Sequence, residues 1–219
     1  MTIKAILFDM DGVIVDTEPL HYKAYLKMFE SVGIEVPNKM YLNFTGQSTF
    51  IICKQICKNF NLKHKPEELV EIKRNNFTKL FYEEENLQLI EGVEKLIKDY
   101  HKNGLTLILA SSASMFTINN VTKRFKLNTY FKDKLSGADL KASKPNPEIF
   151  IKAAKSANVE TKECIVIEDS TNGIKAANSA GIFCIAYKSK NSEGQNYNLA
   201  DKLITNYEEI NYDKIKYLV

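Results

Sequence analysis

"LFDMDGVIVDTE", residues 7–18, gathers four acids, Asp9, Asp11, Asp16 and Glu18, within ten residues at the end of an apolar run, with no basic residue among them. A short apolar run bounded by charge predicts a buried strand. Carboxylates at that spacing repel one another, so whatever they form needs a cation, a proton or a ligand to hold it together.

Three further runs have the same character: "LTLILA" at 105–110, "CIVIED" at 164–169 and "FCIAY" at 183–187. Helical patterns separate them. "EGVEKLIKDYHKNG" spaces Val93, Leu96, Ile97 and Tyr100 as one helix face and ends on Gly104, where a left-handed cap belongs. "NPEIFIKAAKSANV" places Pro147 in a first turn ahead of Ile149, Phe150 and Ala153, and "TNGIKAANSAG" again ends on a glycine, Gly181. Strand followed by helix, several times over, predicts a mostly parallel sheet covered on both faces. A short strand, "KLIT", and a last helix are expected in the tail after Lys202.

Residues 18–87 break the rhythm. "EPLHYKAYLKMFESVG", "STFIICKQICKNFN" and "KPEELVEIKRNNFTKLFYEEE" all carry apolar residues every three or four positions. A crossover between parallel strands needs only a dozen or more residues, so this block is too long to be one and predicts an inserted helical domain. The expected architecture is therefore α/β: a Rossmann-like three-layer core of residues 1–16 and 88–219, with a helical cap of residues 17–87. Its joins would lie near Asp16–Pro19 and Asn86–Glu91.

Composition bounds the function classes. Of 219 residues, 44% are hydrophobic and 26% charged, which is ordinary for a globular protein. The formal charge of +3 is too small, and the lysines too scattered, for a nucleic-acid footprint. The opening Met-Thr-Ile-Lys lacks the basic leader of a signal peptide, and no apolar stretch approaches the roughly 18 residues of a membrane span. A cytoplasmic protein without membrane or nucleic-acid partners is expected. Cys53 and Cys57 stand at i, i+4 with no second pair or histidine cluster to complete a zinc site, and with Cys164 and Cys184 they read as free thiols.

In open parallel sheets, ligands gather beyond the carboxyl ends of the strands. Four places deliver polar groups there: Asp9 and Asp11, then Ser111 and Ser112, then Lys144, then Glu168 and Asp169. Carboxylates suit a hard cation such as magnesium, and hydroxyls with a lysine suit phosphoryl oxygens. Each feature alone has a plain structural reading. Asp-x-Asp-Gly is turn chemistry, the serines and Asp169-Ser170-Thr171 serve as helix caps, and Lys144 before a proline fits a surface. A calcium loop is excluded by Ile14 and Val15, with no later ligand set. The plain readings require all four groups to fall at successive strand ends by accident.

"DMDGVIVDTE", "LASSAS", "SKPNPEIF" and "IEDSTNGIKAA", in this order, resemble the four motifs of the haloacid dehalogenase-like hydrolases, in particular the phosphatase and β-phosphoglucomutase branch with a helical cap. The family's dehalogenases lack the second aspartate, so Asp11 points to phosphoryl transfer. The resemblance implies that Asp9 attacks phosphorus and that Asp11 acts as general acid and base, its pKa held up by acidic neighbours and the cap. It implies magnesium on the Asp9 carboxylate, the Asp11 carbonyl and Asp169, with Glu168 direct or through water. Ser111, with Ser112 beside it, would meet the phosphoryl group, Lys144 would neutralise charge, and Thr17 and His21 at the cap hinge would orient the general acid. Asp16 is expected to cap the first cap helix, and Glu18 to face substrate.

In β-phosphoglucomutases, the stretch matching "FTGQSTFIICKQI" carries a lysine and an arginine that grip a second phosphate, where this chain has Thr45 and Thr49. A phosphatase acting on a small phosphorylated metabolite, as monomer or weak dimer, is therefore expected over a mutase, with Lys54 and Lys58 as the residues that would compensate. A non-catalytic regulator binding a phosphometabolite is disfavoured, since Asp9, Asp11, Lys144 and Asp169 are all present.

Overall fold

The computed structural model describes residues 2–44, 47–189, 194–216 and 218. In chain order the elements are β1 (Ala5–Phe8), α1 (Glu18–Ser31), α2 (Asn38–Leu42), α3 (Thr49–Asn59), α4 (Pro66–Glu83), α5 (Val93–Lys102), β2 (Thr106–Ser111), α6 (Met115–Arg124) and β3 (Asp133–Ser136). They continue with α7 (Glu148–Ala157), β4 (Cys164–Glu168), α8 (Thr171–Ser179), β5 (Phe183–Tyr187), β6 (Lys202–Ile204) and α9 (Tyr212–Ile215). The six strands form one parallel sheet in the order β3-β2-β1-β4-β5-β6.

A parallel sheet is covered on both faces, which is why its central strands read as unbroken apolar runs. Alternate residues of β1 go opposite ways. Ile6 and Phe8 join Leu96 and Ile97 of α5 and Ile118 and Val121 of α6 in one apolar cluster. Ala5 and Leu7 join Phe150 and Ala153 of α7 and Ile174 and Ala177 of α8 in the other. β3 is the edge strand that the apolar-run criterion misses: "DKLS" is largely polar, with Asp133 exposed, Lys134 and Leu135 half-buried and Ser136 buried. α2, only five residues long, is likewise absent from the sequence expectation.

Helices α1, α3 and α4 enclose a third cluster, including Tyr25, Met28, Phe29, Ile52, Ile56 and Leu69, so the inserted block has its own apolar core. Its two joins run side by side: Val15 bridges Leu89 antiparallel, and the Ile90 amide donates to the Ile14 carbonyl at 2.9 Å. At the far end of α4, Arg124 of α6 donates to the Phe81 carbonyl at 2.7 Å and to the Glu84 carbonyl, while its guanidinium lies 5.0 Å from the Phe81 ring. These are terminal helix carbonyls that no amide of α4 can reach, so the core supplies their donors. Among the described residues no helix is long and apolar enough to cross a membrane. The four cysteines are free thiols, as expected.

Candidate active site

Register builds the site. Phe8 pairs with Leu109 on one side and Ile167 on the other, so the next residues on the three strands, Asp9, Ala110 and Glu168, come level at the carboxyl edge. Lys144, between β3 and α7, reaches across them. Its Nζ donates to Asp9 Oδ1 at 2.5 Å, Glu168 Oε1 at 2.9 Å and the Ala110 carbonyl at 3.1 Å, using all three protons of a side chain only 2% exposed. Far from the surface position that Lys144 suggests in isolation, it is the central cation of the site.

Glu168 is fixed further by the Ser170 amide (2.9 Å) and hydroxyl (2.8 Å), and Ser170 in turn caps α8 by accepting from the Gly173 amide. Two glycines leave room for the acids. A Cβ on Gly12 would fall 2.1 Å from Asp169 Oδ2, and one on Gly173 would fall 1.9 Å from the Glu168 carboxyl. Gly12 also adopts φ +84, which a side chain resists. The carboxylates of Asp9, Glu168 and Asp169 each present an oxygen within 4.8 Å of the others, a donor set of hard oxygens fitted to a divalent cation.

The electrostatics show the strain of that grouping. Burial pushes the Asp9 carboxyl well up; Lys144 opposes this, and Glu168 and Asp11 add to it. Asp169 is raised by burial and by Glu168 and Asp9. Burial works against the Lys144 ammonium, but Asp9 and Glu168 outweigh it and raise its pKa.

The sign of the pH effect follows. An acid with a raised folded pKa leaves stability intact below its ordinary value, 3.8 for Asp, and costs stability as pH climbs through the folded value. Asp11 acts oppositely, losing its contribution as pH falls through a lowered value, and Lys144 matters only above its ordinary 10.5. Without divalent cation, the melting temperature is therefore expected to fall between about pH 5 and pH 8, and added magnesium to restore more at pH 8 than at pH 5. Scanning calorimetry with and without chelator checks this, and a profile insensitive to both variables would contradict the charge balance described.

Asp11 departs from expectation. Its carboxyl is lowered, not raised: burial pushes it up, but hydrogen bonding from His21 and Thr17 and electrostatic attraction to His21 and Lys73 prevail. Oδ1 receives the Thr17 hydroxyl and lies 3.3 Å from His21 Nε2, and the Ser111 hydroxyl donates to Oδ2 at 3.3 Å. Behind His21 stands Lys73 of α4, with Nζ 2.6 Å from His21 Nδ1. An ammonium has only protons to offer, so Nδ1 accepts and the ring proton sits on Nε2, facing Asp11. Phe77 stacks on the imidazole at 4.2 Å between centroids and fixes its plane. Burial brings the Lys73 amine down to about 8, against the pull of Asp11 and Glu18. No local motif marks Lys73; only the folded contact across 52 residues does.

Asp16 does not cap α1. Thr17 precedes the first helical residue, its side chain makes no capping bond, and Pro19 lies in the first turn. The serine expectations divide. Ser111 meets Asp11 and accepts from the Ala113 amide at 3.0 Å, whereas the cap of α6 is Ser114, which accepts from Thr117. Ser112 lines the same cavity, whose volume is about 80 Å³. Asp9, Asp11, Glu168 and Asp169 line its core side; Glu18, His21, Tyr25, Tyr41, Thr49 and Lys73 line the cap side. Lys54 and Lys58 sit on the exposed face of α3 and do not reach it, so they do not stand in for the missing cations. Thr45 lies outside the described residues.

The profile of the family described as "Haloacid dehalogenase-like hydrolase" matches residues 6–187. "Putative phosphatase YhcW" of Bacillus subtilis (strain 168) is 32% identical over 189 residues, 86% of this chain and 84% of that one. "Phosphorylated carbohydrates phosphatase" of Thermotoga maritima is 30% identical over 82% of each chain. The crystal structure of β-phosphoglucomutase from Clostridium difficile superposes with a TM-score of 0.87 at 28% identity, over 99% of this chain and 97% of that one. The family match over residues 6–187, the identity to named phosphatases and the superposition over nearly the whole chain agree, and the chain belongs to the haloacid dehalogenase-like hydrolases, in the branch that holds phosphatases and β-phosphoglucomutases.

Proposed function

We propose that this chain is a magnesium-dependent phosphatase that hydrolyses a small phosphate monoester, by class a sugar phosphate, through an aspartyl phosphate on Asp9. The observation that carries the reading is the convergence of Asp9, Asp11, Glu168 and Asp169 on one cavity, with Lys144 bonded to Asp9. The relatives named as phosphatases support it. Magnesium would be held by the Asp9 carboxylate, the Asp11 carbonyl and Asp169, with Glu168 direct or through water. When bound, it neutralises the acids and draws charge from the phosphoryl oxygens.

The protein's own groups divide the work. An Asp9 carboxylate oxygen bonds to phosphorus as the ester oxygen leaves, and the leaving oxygen takes the proton of Asp11. Water then attacks the aspartyl phosphate, gives its proton back to Asp11, and the bond to Asp9 breaks to release phosphate. At rest the donors Thr17 and His21 favour the basic form of Asp11, which suits the second step; the arriving phosphoryl dianion raises its proton affinity for the first. Ser111 donates to a phosphoryl oxygen with Ser112 beside it, and Lys144 holds Asp9 in line. We assign residues 17–87 to a cap that closes over residues 1–16 and 88–219, pivoting at the paired joins. We assign the protein to the cytoplasm as a monomer or weak dimer; its free thiols suit a reducing compartment.

A β-phosphoglucomutase reading is favoured by the overlay with the Clostridium difficile enzyme. Against it, Thr49 stands at the cavity where a cation would be needed, and Lys54 and Lys58 face away. The deciding experiment pairs two assays. p-Nitrophenyl phosphate turnover should stop with chelator and return with magnesium, while β-glucose 1-phosphate should not become glucose 6-phosphate. Metal-independent turnover would refute the site as assigned, and efficient isomerisation would make the protein a mutase.

A further inference from the structure

Resting on the phosphatase reading, we infer that Glu18 determines specificity by accepting a hydrogen bond from a substrate hydroxyl and turning away a second anionic group, so that the leaving group is an uncharged polyol or sugar. Glu18 opens α1 one residue after Thr17, so its place is tied to that of Asp11. It is half-buried on the cap side of the cavity whose core side Asp9, Asp11, Glu168 and Asp169 line. The Tyr41 hydroxyl donates to its Oε1 at 3.0 Å, which anchors one oxygen. Burial and Glu18 itself push the Tyr41 phenol up, so Tyr41 remains a donor. Among the described residues, no lysine, arginine or histidine nitrogen lies within ion-pair distance of the Glu18 carboxylate.

The charge of the cap wall then decides what it accepts. Lys73 is the only lysine or arginine among its described lining residues, and it is buried, bonded to His21 Nδ1 at 2.6 Å and flanked by the Tyr25 and Phe77 rings at 4.8 and 5.1 Å. A second phosphate on the leaving group would meet Glu18 with no exposed lysine or arginine among the described lining residues to offset it, and like charges in a closed site are strongly disfavoured. A hydroxyl meets the opposite situation. It donates to a carboxylate already oriented by Tyr41, and hydrogen bonds to ionised acceptors are about twice as strong as neutral ones. Gln47 and Thr49, which line the same cavity, add neutral partners for further hydroxyls.

The test compares mannitol 1-phosphate with mannitol 1,6-bisphosphate, a symmetric pair in which either end gives the same reaction, using the full chain with magnesium. Wild-type kcat/KM is expected to favour the monophosphate at least about tenfold, and Glu18→Gln to shrink that ratio to within about threefold. Tyr41→Phe, which keeps the Glu18 charge, is expected to preserve the preference. A wild-type ratio near one, or a ratio unmoved by Glu18→Gln, would overturn the inference, as would turnover of p-nitrophenyl phosphate with neither mannitol ester hydrolysed. The first of these needs no variant to fold. If p-nitrophenyl phosphate itself is not hydrolysed, the phosphatase reading beneath the inference has failed instead.

Discussion

Asp9→Asn is expected to cut p-nitrophenyl phosphate turnover by at least about ten-thousandfold while leaving the protein folded. The exchange keeps the shape of the side chain and its carbonyl oxygen, so Lys144 still has an acceptor at that position. What it removes is the anionic oxygen that would bond to phosphorus, and a neutral amide is a poor substitute. It also removes one of several buried negative charges that raise one another's pKa, so the metal-free variant should not lose its cooperative unfolding. Circular dichroism melts alongside phosphate release separate the two effects. Turnover within tenfold of wild type would assign the nucleophile elsewhere.

The second large effect falls on stability as well as rate. Lys144→Met keeps much of the volume of a side chain that is almost wholly buried, so no sizeable cavity is opened. It leaves Asp9 and Glu168 without their shared cation and the Ala110 carbonyl without its donor. Breaking a buried ion pair by removing one partner costs about 3–5 kcal/mol, and a loss in that range is expected from urea titration at neutral pH without metal. Adding Glu168→Gln should recover part of it, because one of the stranded charges goes with it. A Lys144→Met midpoint equal to wild type would mean that the acids are compensated by something else. Activity should be lost in both variants.

Much of the core was legible because burial on both faces of a parallel sheet leaves an unmistakable trace. All of β1 and β4 is buried, and both read as apolar runs ending in acids. β3 was not legible, since an edge strand with a solvent-facing side needs no such run. Asp9, Ser111, Glu168 and Asp169 could be nominated because each ends or follows an apolar run, and Lys144 because it precedes the helix that begins near Pro147. The surroundings of Asp11 could only in part, since the resemblance implied Thr17 and His21 but nothing pointed to Lys73. The neighbours of Asp11 in the chain are acids, which suggested a raised pKa, whereas the groups that dominate it arrive from the cap. Lys73 lies within "ELVEIKRNN", a stretch indistinguishable from an amphipathic surface helix until α4 is laid against α1. The glycines at 12 and 173 carry a similar lesson, for what they accommodate is a carboxylate from another part of the chain or an earlier strand end.

The clasp of Arg124 on the last carbonyls of α4 gives that helix a fulcrum. Lys73 lies eight residues from Phe81, about 12 Å along the axis at ~1.5 Å per residue, so rocking the helix by ~10° about its held end sweeps Lys73 through ~2 Å. α1 packs along α4 and would ride with it, carrying Thr17 and His21 off the Asp11 carboxylate. Freed of those donors, Asp11 would gain affinity for a proton just as the lid lifts to admit an ester. The lever that opens the enzyme would thus also cock its acid, and shutting it again would reset the base.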